Sequence, residues 1–252
     1  QIKFGKVPDI VYVVPDSDNP KGTTLPMKRR RELFDICENH NILLLEDSAY
    51  AEIQFKPNPK PIKTLDKENL RVAYLGTTSK EAAVLRVGYS VLPVSLREQV
   101  LKDKGYLDLC TSTLLQRILN EYYSKHIDEA MKIGIPQYKK RYEAMAEAID
   151  ESFPPGTRTD PTGGFFIWWQ SEDPDFNSSV FLEKTAIPND VLYVPGAGFY
   201  PITGYSLSGD GNDLVPSKRE VNTMRIGYSY ADPECISEGI RRLGGLLTKE
   251  FG

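Results

Sequence analysis

The chain has 252 residues, of which 40% are hydrophobic and 26% are charged, and its formal net charge at pH 7 is -4. This length can supply the core of one large domain or of two smaller ones. The mild negative charge argues against a nucleic-acid-binding surface and against a polybasic membrane-binding segment. No apolar run is long enough to span a bilayer, so we expect no membrane partner.

The cysteines and histidines do not form a recognisable metal or disulfide pattern. The three cysteines are far apart in the sequence, and the two histidines have no cysteine or carboxylate at ligand spacing. We therefore expect no metal site. Free thiols are typical of a reducing compartment, so the expected localisation is the cytoplasm.

The first third of the chain alternates short apolar runs with helical patterns. Strands are predicted at 9–15, 42–45, 72–75 and 87–92, and a helix is predicted from Pro26 to about His40. Alternating strands and helices favour an α/β fold with a mainly parallel sheet that is flanked by helices.

The rest of the chain has a different pattern, which predicts a smaller α+β domain. The middle is helical, and Gly134 and Pro136 are expected to break or kink it. We place the large domain at 1–130 and the small C-terminal domain at 131–252. The predicted elements of the small domain are strands at 164–169, 191–194 and 224–228, helices at 180–185 and 233–249, and an exposed loop at 200–220.

Polar side chains follow three of the predicted strands. Asn19 comes after the first strand, Asp47 and Tyr50 come after the second, and Lys80 comes after the third. Open parallel sheets bind ligands beyond the carboxyl ends of their strands. The sequence thus places an amide, a carboxylate, a phenol and an amine at one predicted edge of the sheet.

Together these groups match the needs of pyridoxal phosphate. Its ring nitrogen acts as part of an electron sink when a carboxylate such as Asp47 keeps it protonated. Its phenolic oxygen needs hydrogen-bond donors, which Tyr50 and Asn19 can supply. Its aldehyde needs an amine, and Lys80 can bond to it covalently and later act as general base and acid.

The phosphate of such a cofactor needs hydroxyl groups and a cation. Thr77, Ser79 and Arg86 lie close to Lys80 in the sequence and can supply them. Each residue alone has a simpler explanation: Asp47 as a helix N-cap, Asn19 as part of a turn, and Lys80 as a surface side chain. Their order along successive strand ends favours the functional interpretation.

On these residues the chain resembles the class I/II aminotransferase family of fold-type I pyridoxal-phosphate enzymes. Six motifs carry the resemblance in the family's order: Asn19-Pro20-Lys21-Gly22, Glu46-Asp47-Ser48-Ala49-Tyr50, Ser79-Lys80 with Leu85-Arg86-Val87-Gly88-Tyr89, Gly163-Gly164-Phe165-Phe166, Val194-Pro195-Gly196 with Phe199-Tyr200, and Asn222-Thr223-Met224-Arg225-Ile226. The sequence around Pro195 and Arg225 is similar to that of the branch that contains the 2-aminoadipate and aromatic aminotransferases.

The resemblance implies a set of roles and partners. Lys80 would hold the cofactor's aldehyde, Asp47 its ring nitrogen, and Asn19 and Tyr50 its phenolic oxygen. Arg225 would bind the α-carboxylate of the substrate with a guanidinium fork, beside Asn19. The expected protein is a homodimer that moves an amino group between an amino acid and a 2-oxo acid such as 2-oxoglutarate.

Two features depart from the family pattern. The link from Lys80 to Arg86 is short and has Glu81-Ala82-Ala83-Val84 where a Pro-Gly pair is usual. The N-terminal half of the pattern, with its phosphate loop and stacking aromatic residue, does not occur in the chain. We therefore expect the chain to be the C-terminal part of a longer protein.

Two other functions remain open at this point. A carbon–sulfur lyase would use the same cofactor residues and break a different bond. An aminotransferase-like domain of a transcription regulator would carry a DNA-binding segment upstream, where a basic winged-helix sequence would identify it.

Overall fold

The computed structural model describes residues 2–251, and the side chains of all of these except Phe4 and Phe251. The chain divides into two compact units. The first contains residues 2–18, Thr23–Pro136 and Thr162–Gly164, and the second contains Asn19–Gly22, Gln137–Pro161 and residues 165–251. The predicted domain boundary after residue 130 lies inside a helix that runs from Ile127 to Ser152.

The first unit is built on a four-stranded sheet. Its strands are β1 (Ile10–Val13), β2 (Leu43–Asp47), β3 (Val72–Thr77) and β4 (Gly88–Val91), in that order across the sheet. The first three are parallel, and β4 is antiparallel to β3 at the edge. The predicted α/β class with a mainly parallel sheet is confirmed.

Helix α1 (Met27–Asn39) covers one face of this sheet. Its buried side chains Phe34 and Cys37 pack with Leu44 of β2 and Val72 of β3. Phe34 and Cys37 are three residues apart on one side of α1, and Leu44 and Val72 are register partners on one face of the sheet. The helix and the sheet therefore share one apolar core. Burying a side chain of the size of Phe34 stabilises a fold by roughly 1.5–3 kcal/mol.

Three further helices follow, and the third contains both residues that were expected to break or kink this region. The helices are α2 (Val94–Leu107), α3 (Thr113–Lys125) and α4 (Ile127–Ser152). Helix α4 continues through Gly134 and Pro136, so neither residue ends it. Proline removes one backbone donor from a helix, and the 26 residues of α4 supply many other hydrogen bonds to hold it.

The second unit contains an antiparallel sheet, a short hairpin and a long terminal helix. Its elements in chain order are β5 (Gly156–Arg158), β6 (Phe166–Ser171), α5 (Ser178–Phe181), β7 (Val194–Pro195), β8 (Tyr205–Leu207), β9 (Leu214–Pro216), β10 (Thr223–Gly227) and α6 (Pro233–Phe251). The sheet has the order β5-β6-β10-β7, so β10 lies in its interior with β6 and β7 as neighbours.

The segment 200–220 is largely exposed, as predicted for a loop, but it also contains two short strands that the prediction missed. It contains the hairpin β8–β9, in which Tyr205 pairs with Pro216 and Leu207 with Leu214. The turn between the strands uses Gly211 at φ 70°, a backbone conformation that glycine adopts without steric cost. The glycine, serine and aspartate residues of this segment predicted a loop, and in the structure several of them form the turn between β8 and β9.

Within residues 2–251, no helix has the length and apolar character that crossing a membrane requires.

Candidate active site

The parallel register of β2 and β3 brings two predicted strand ends to one edge of the sheet. Asp47 at the end of β2 is the register partner of Leu75 in β3. Beyond it, the backbone N–H of Ser48 donates to the carbonyl of Leu75 at 2.9 Å. The segment from Ser48 to Tyr50 and the segment that leads to Lys80 therefore leave neighbouring strands in the same direction.

The Asp47 carboxylate is held by two donors, one on each oxygen. The Tyr12 hydroxyl donates to Oδ2 at 2.6 Å, and the backbone N–H of Ala49 donates to Oδ1 at 3.2 Å. A carboxylate can accept about four hydrogen bonds, so both oxygens retain acceptor capacity for a ligand. The sequence did not single out Tyr12, because its contact with Asp47 depends on the register between β1 and β2.

Lys80 and Tyr50 lie together at this edge. The Lys80 Nζ is 5.1 Å from the centre of the Tyr50 ring, within the range of a cation–π interaction. Tyr50 is buried, and its carbonyl accepts a hydrogen bond from the Gln54 side-chain amide at 2.8 Å. The backbone of Tyr50 is therefore held in place, and its ring lies beside the amine of Lys80.

The three residues predicted to bind a phosphate converge on one atom, the Oγ of Ser79. The Thr77 hydroxyl donates to it at 3.0 Å, and Arg86 Nη1 donates to it at 2.9 Å. Arg86 has φ 51°, in the left-handed region. The short link after Lys80 therefore returns the guanidinium to Ser79, and these hydroxyls and cation form a group that can bind an anion.

In the second unit, Asn19 and Arg225 are directly bonded. Arg225 Nη1 donates to Asn19 Oδ1 at 2.7 Å. The guanidinium carbon lies 4.2 Å from the ring centre of Phe166 and 5.0 Å from that of Phe199. An amide and two aromatic rings thus orient this guanidinium, and the interior strand β10 fixes its backbone.

Gly22 allows the turn after Asn19 to lie against β6. Its φ is 68°, and a Cβ at this position would lie 2.5 Å from the carbonyl oxygen of Phe166. Any larger residue would push the turn away from the strand that also carries the aromatic ring beside Arg225. The glycine of the Asn19-Pro20-Lys21-Gly22 motif therefore has a steric role.

Two other buried acids near the strand ends contact groups of the protein itself. The Glu46 carboxylate accepts hydrogen bonds at 2.7 Å from the backbone N–H groups of Ile62 and Lys63. Burial raises the pKa of Glu46, and these bonds oppose the rise. Asp16 forms a buried ion pair with Arg30 at 2.5 Å, which ties the segment after β1 to helix α1.

The link between Lys80 and Arg86 contains a carboxyl group in an unfavourable environment. Burial raises the pKa of Glu81, and the charge of Glu52 acts in the same direction. The side chain of Tyr123 also interacts with this carboxyl. Glu81 therefore favours its neutral form more than an exposed glutamate does.

The structure gathers six predicted site residues in the first unit and two in the second. The six are Asp47, Tyr50, Thr77, Ser79, Lys80 and Arg86, and the two are Asn19 and Arg225. Residues 2–251 contain no group of three or more side chains that could hold a metal ion. The first set offers a carboxylate, a phenol, an amine, two hydroxyls and a guanidinium, and the second offers a guanidinium beside an amide.

Comparison with known proteins gives matches over the whole chain. The profile of the family described as aminotransferase class I and II matches residues 8–195. The aromatic-amino-acid aminotransferase 1 of Thermococcus litoralis is 35% identical over 99% of this chain and 56% of its own length. An uncharacterized HTH-type transcriptional regulator of Bacillus subtilis is 30% identical over 96% of this chain and 47% of its own length.

The fold also matches that of a solved structure. The kynurenine aminotransferase of Pyrococcus horikoshii, in complex with PMP, matches 100% of this chain and 59% of that chain. The sequence identity is 34% and the TM-score is 0.86. This chain therefore spans about half the length of the proteins that it matches.

Proposed function

The chain belongs to the class I and II aminotransferase family, and we propose that it carries the cofactor-anchoring and carboxylate-binding residues of a pyridoxal-phosphate-dependent aminotransferase. The observation that carries this proposal is the grouping at one sheet edge of a restrained carboxylate, a phenol with an adjacent amine, and an anion-binding cluster around Ser79. The cofactor is further supported by the family match and by the solved relative in complex with PMP.

The donor set of the first unit fits this cofactor. The Asp47 carboxylate has spare acceptor capacity for a protonated ring nitrogen, and Tyr50 offers a phenol for the ring's oxygen. Thr77, Ser79 and Arg86 together provide hydroxyls and a positive charge for a phosphate. When bound, pyridoxal phosphate supplies an electron sink that stabilises negative charge at the substrate's α-carbon.

The chain's own residues have separate tasks in this scheme. Lys80 anchors the cofactor through its amine and then moves a proton to and from the α-carbon as general base and acid. Arg225 binds the α-carboxylate of the substrate in a charge-assisted, two-pronged contact. Asn19 and the rings of Phe166 and Phe199 hold the guanidinium in place for that contact.

The relatives support a substrate class. We propose an aromatic or 2-aminoadipate-like amino acid as amino donor and a 2-oxo acid such as 2-oxoglutarate as acceptor. The aromatic-amino-acid aminotransferase of Thermococcus litoralis and the kynurenine aminotransferase of Pyrococcus horikoshii support the aromatic choice. A homodimer in the cytoplasm is the proposed state of the whole protein.

No contact among the described residues favours either alternative function over an aminotransferase. A carbon–sulfur lyase would share every residue named above, and product analysis separates it from an aminotransferase. The match to an HTH-type regulator concerns the shared domain, and a basic DNA-binding segment in the full-length sequence would identify that function.

A half-reaction screen tests the proposal. The full-length protein with bound cofactor is mixed with single amino acids, and the visible absorption band of the cofactor is followed. We expect aromatic amino acids or 2-aminoadipate to remove the band and to yield the matching 2-oxo acid without ammonia. Ammonia and pyruvate as products would indicate a lyase, and no reaction with any amino acid would contradict an aminotransferase.

A further inference from the structure

Tyr12 is the side chain that bonds to the Asp47 carboxylate from the neighbouring strand. In the parallel pair, Tyr12 of β1 is the register partner of Leu45 in β2, and Asp47 comes two residues later. Residues two apart in a strand point to the same face. The Tyr12 ring therefore lies on the face where Asp47 lies, and its hydroxyl reaches Oδ2 at 2.6 Å.

The ring of Tyr12 contributes little to the core. Its neighbours Val11 and Val13 pack against the apolar core on the side of α1, whereas Tyr12 is 59% exposed. The principal polar contact of its hydroxyl is the bond to Asp47. A tyrosine selected for packing alone would not need this hydroxyl, because phenylalanine fills the same space.

The hydroxyl stays protonated throughout the working range of a cytoplasmic enzyme. Partial burial of the ring, the hydrogen bond to Asp47 and the negative charge of Asp47 together raise the pKa of Tyr12 to about 12. Tyr12 is therefore a constant donor. An aspartate carboxyl group rotates readily about its last bond, so a donor on Oδ2 and the Ala49 N–H on Oδ1 together fix its plane.

We propose that Tyr12 is a positioning residue that holds the Asp47 carboxylate in the orientation needed by the ring nitrogen of pyridoxal phosphate. The proposal rests on the proposed function, because it assigns Asp47 to that nitrogen. Tyr12 acts through Asp47 and does not itself touch the reacting atoms. Loss of the Tyr12 hydroxyl leaves the attachment of the cofactor at Lys80 in place and weakens the contact of Asp47 with the ring nitrogen.

The first test compares Tyr12→Phe with Tyr106→Phe in the full-length protein. Tyr106 is 83% exposed in α2 and serves as the matched control. For Tyr12→Phe we expect about 10-fold weaker binding of pyridoxal phosphate, the size typical of a lost hydrogen bond to a charged group. We also expect an altered pH titration of the visible band and an unchanged melting temperature of the cofactor-free protein.

A double-mutant cycle with Asp47→Ala separates positioning from an independent effect. If Tyr12 acts through Asp47, Tyr12→Phe changes cofactor affinity in the wild-type background and changes nothing further in the Asp47→Ala background. Equal losses in both backgrounds would overturn the proposal. So would a Tyr12→Phe protein whose affinity and band titration match those of Tyr106→Phe.

The outcome is distinguishable from failure of the proposed function. Borohydride reduction attaches the cofactor to the protein irreversibly, and labelling is measured by mass. If Lys80→Ala still becomes labelled as the wild type does, the proposed function fails whatever Tyr12 does. If labelling depends on Lys80 while Tyr12→Phe behaves as its control, only the positioning role is wrong.

Discussion

At the scale of single residues, Arg225 is a cation of the second unit with three contacts to its guanidinium. One amide and two aromatic rings fix its guanidinium. We expect Arg225→Lys to raise KM for amino acids about 10-fold to 100-fold and to leave pyridoxal phosphate affinity nearly unchanged, because lysine cannot form the two-pronged contact. Steady-state kinetics and cofactor titration measure the two effects separately.

Arg219→Lys is the control for this substitution, since Arg219 is exposed in the same unit. Its KM should stay within about twofold of the wild type, as expected for a surface change that removes no fixed contact. An Arg225→Lys protein that loses cofactor affinity as much as substrate affinity would contradict the assigned role.

Site residues could be predicted from the sequence where they directly follow a recognisable strand. Asp47, Tyr50 and Lys80 could be selected because they follow apolar strands at predictable places, and the structure puts Lys80 beside Tyr50. Their chemical roles stay predictions. Tyr12 could not be selected, because its importance depends on the register between β1 and β2, which no local pattern specifies.

At the scale of elements, the turn after Asn19 depends on Gly22. We expect Gly22→Ala to destabilise the protein by about 1–3 kcal/mol, because the added Cβ meets the Phe166 carbonyl oxygen at 2.5 Å and the left-handed backbone disfavours alanine. Gly211→Ala is the control, as Gly211 has φ 70° and nothing within 4 Å of its added Cβ. Equal destabilisation of the two variants, measured by denaturant unfolding, would show that only backbone strain matters.

The link from Lys80 to Arg86 gives a prediction about pH. The pKa of Glu81 is raised in the folded protein, so the protonated carboxyl favours the folded state. This contribution to stability is complete below the unfolded pKa of about 4.3 and is lost as pH rises through the folded pKa. We expect Glu81→Gln to raise the melting temperature at pH 8 and to leave it unchanged near pH 4. Glu98→Gln removes an exposed carboxylate of α2 and is the control for the loss of one negative charge. A melting-temperature profile of Glu81→Gln that matches this control would contradict the prediction.

Helices and strands could be predicted where the sequence has a clear pattern of apolar residues, and were harder to predict elsewhere. The four strands of the first sheet and helix α1 follow from apolar runs and helical spacing. The sequence left a break and a kink at Pro136 both open, because a local pattern does not show whether the rest of a long helix holds a proline, and α4 has no break there. The β8–β9 hairpin was missed because three-residue strands carry almost no periodic signal.

At the scale of the whole molecule, cofactor binding should stabilise the fold by mass action. With pyridoxal phosphate at about 100 times its Kd, the free energy of unfolding should rise by about 2.7 kcal/mol. Asp47→Ala should lose most of this gain at the same cofactor concentration, whereas Glu98→Gln should retain it. Denaturant unfolding with and without cofactor measures the gain, and an equal gain in Asp47→Ala would remove Asp47 from the binding site.

The family and the fold class were predictable from this chain, and both are confirmed. Six ordered motifs carried the family, because a cofactor with several distinct groups requires several side chains in a fixed order. The substrate was not predictable to the same depth. The chain spans about half the length of its relatives, and the residues that contact a substrate side chain leave no comparable pattern in the sequence.

The identity of the labelled lysine tests the central claim most directly. The full-length protein with pyridoxal phosphate is reduced with borohydride and digested, and the modified peptide is sequenced by mass spectrometry. We expect one modified peptide, with the cofactor mass on Lys80, and none in Lys80→Ala, while the exposed Lys102→Ala stays labelled like the wild type. A modification that lies on another lysine, or that persists unchanged in Lys80→Ala, would contradict the account.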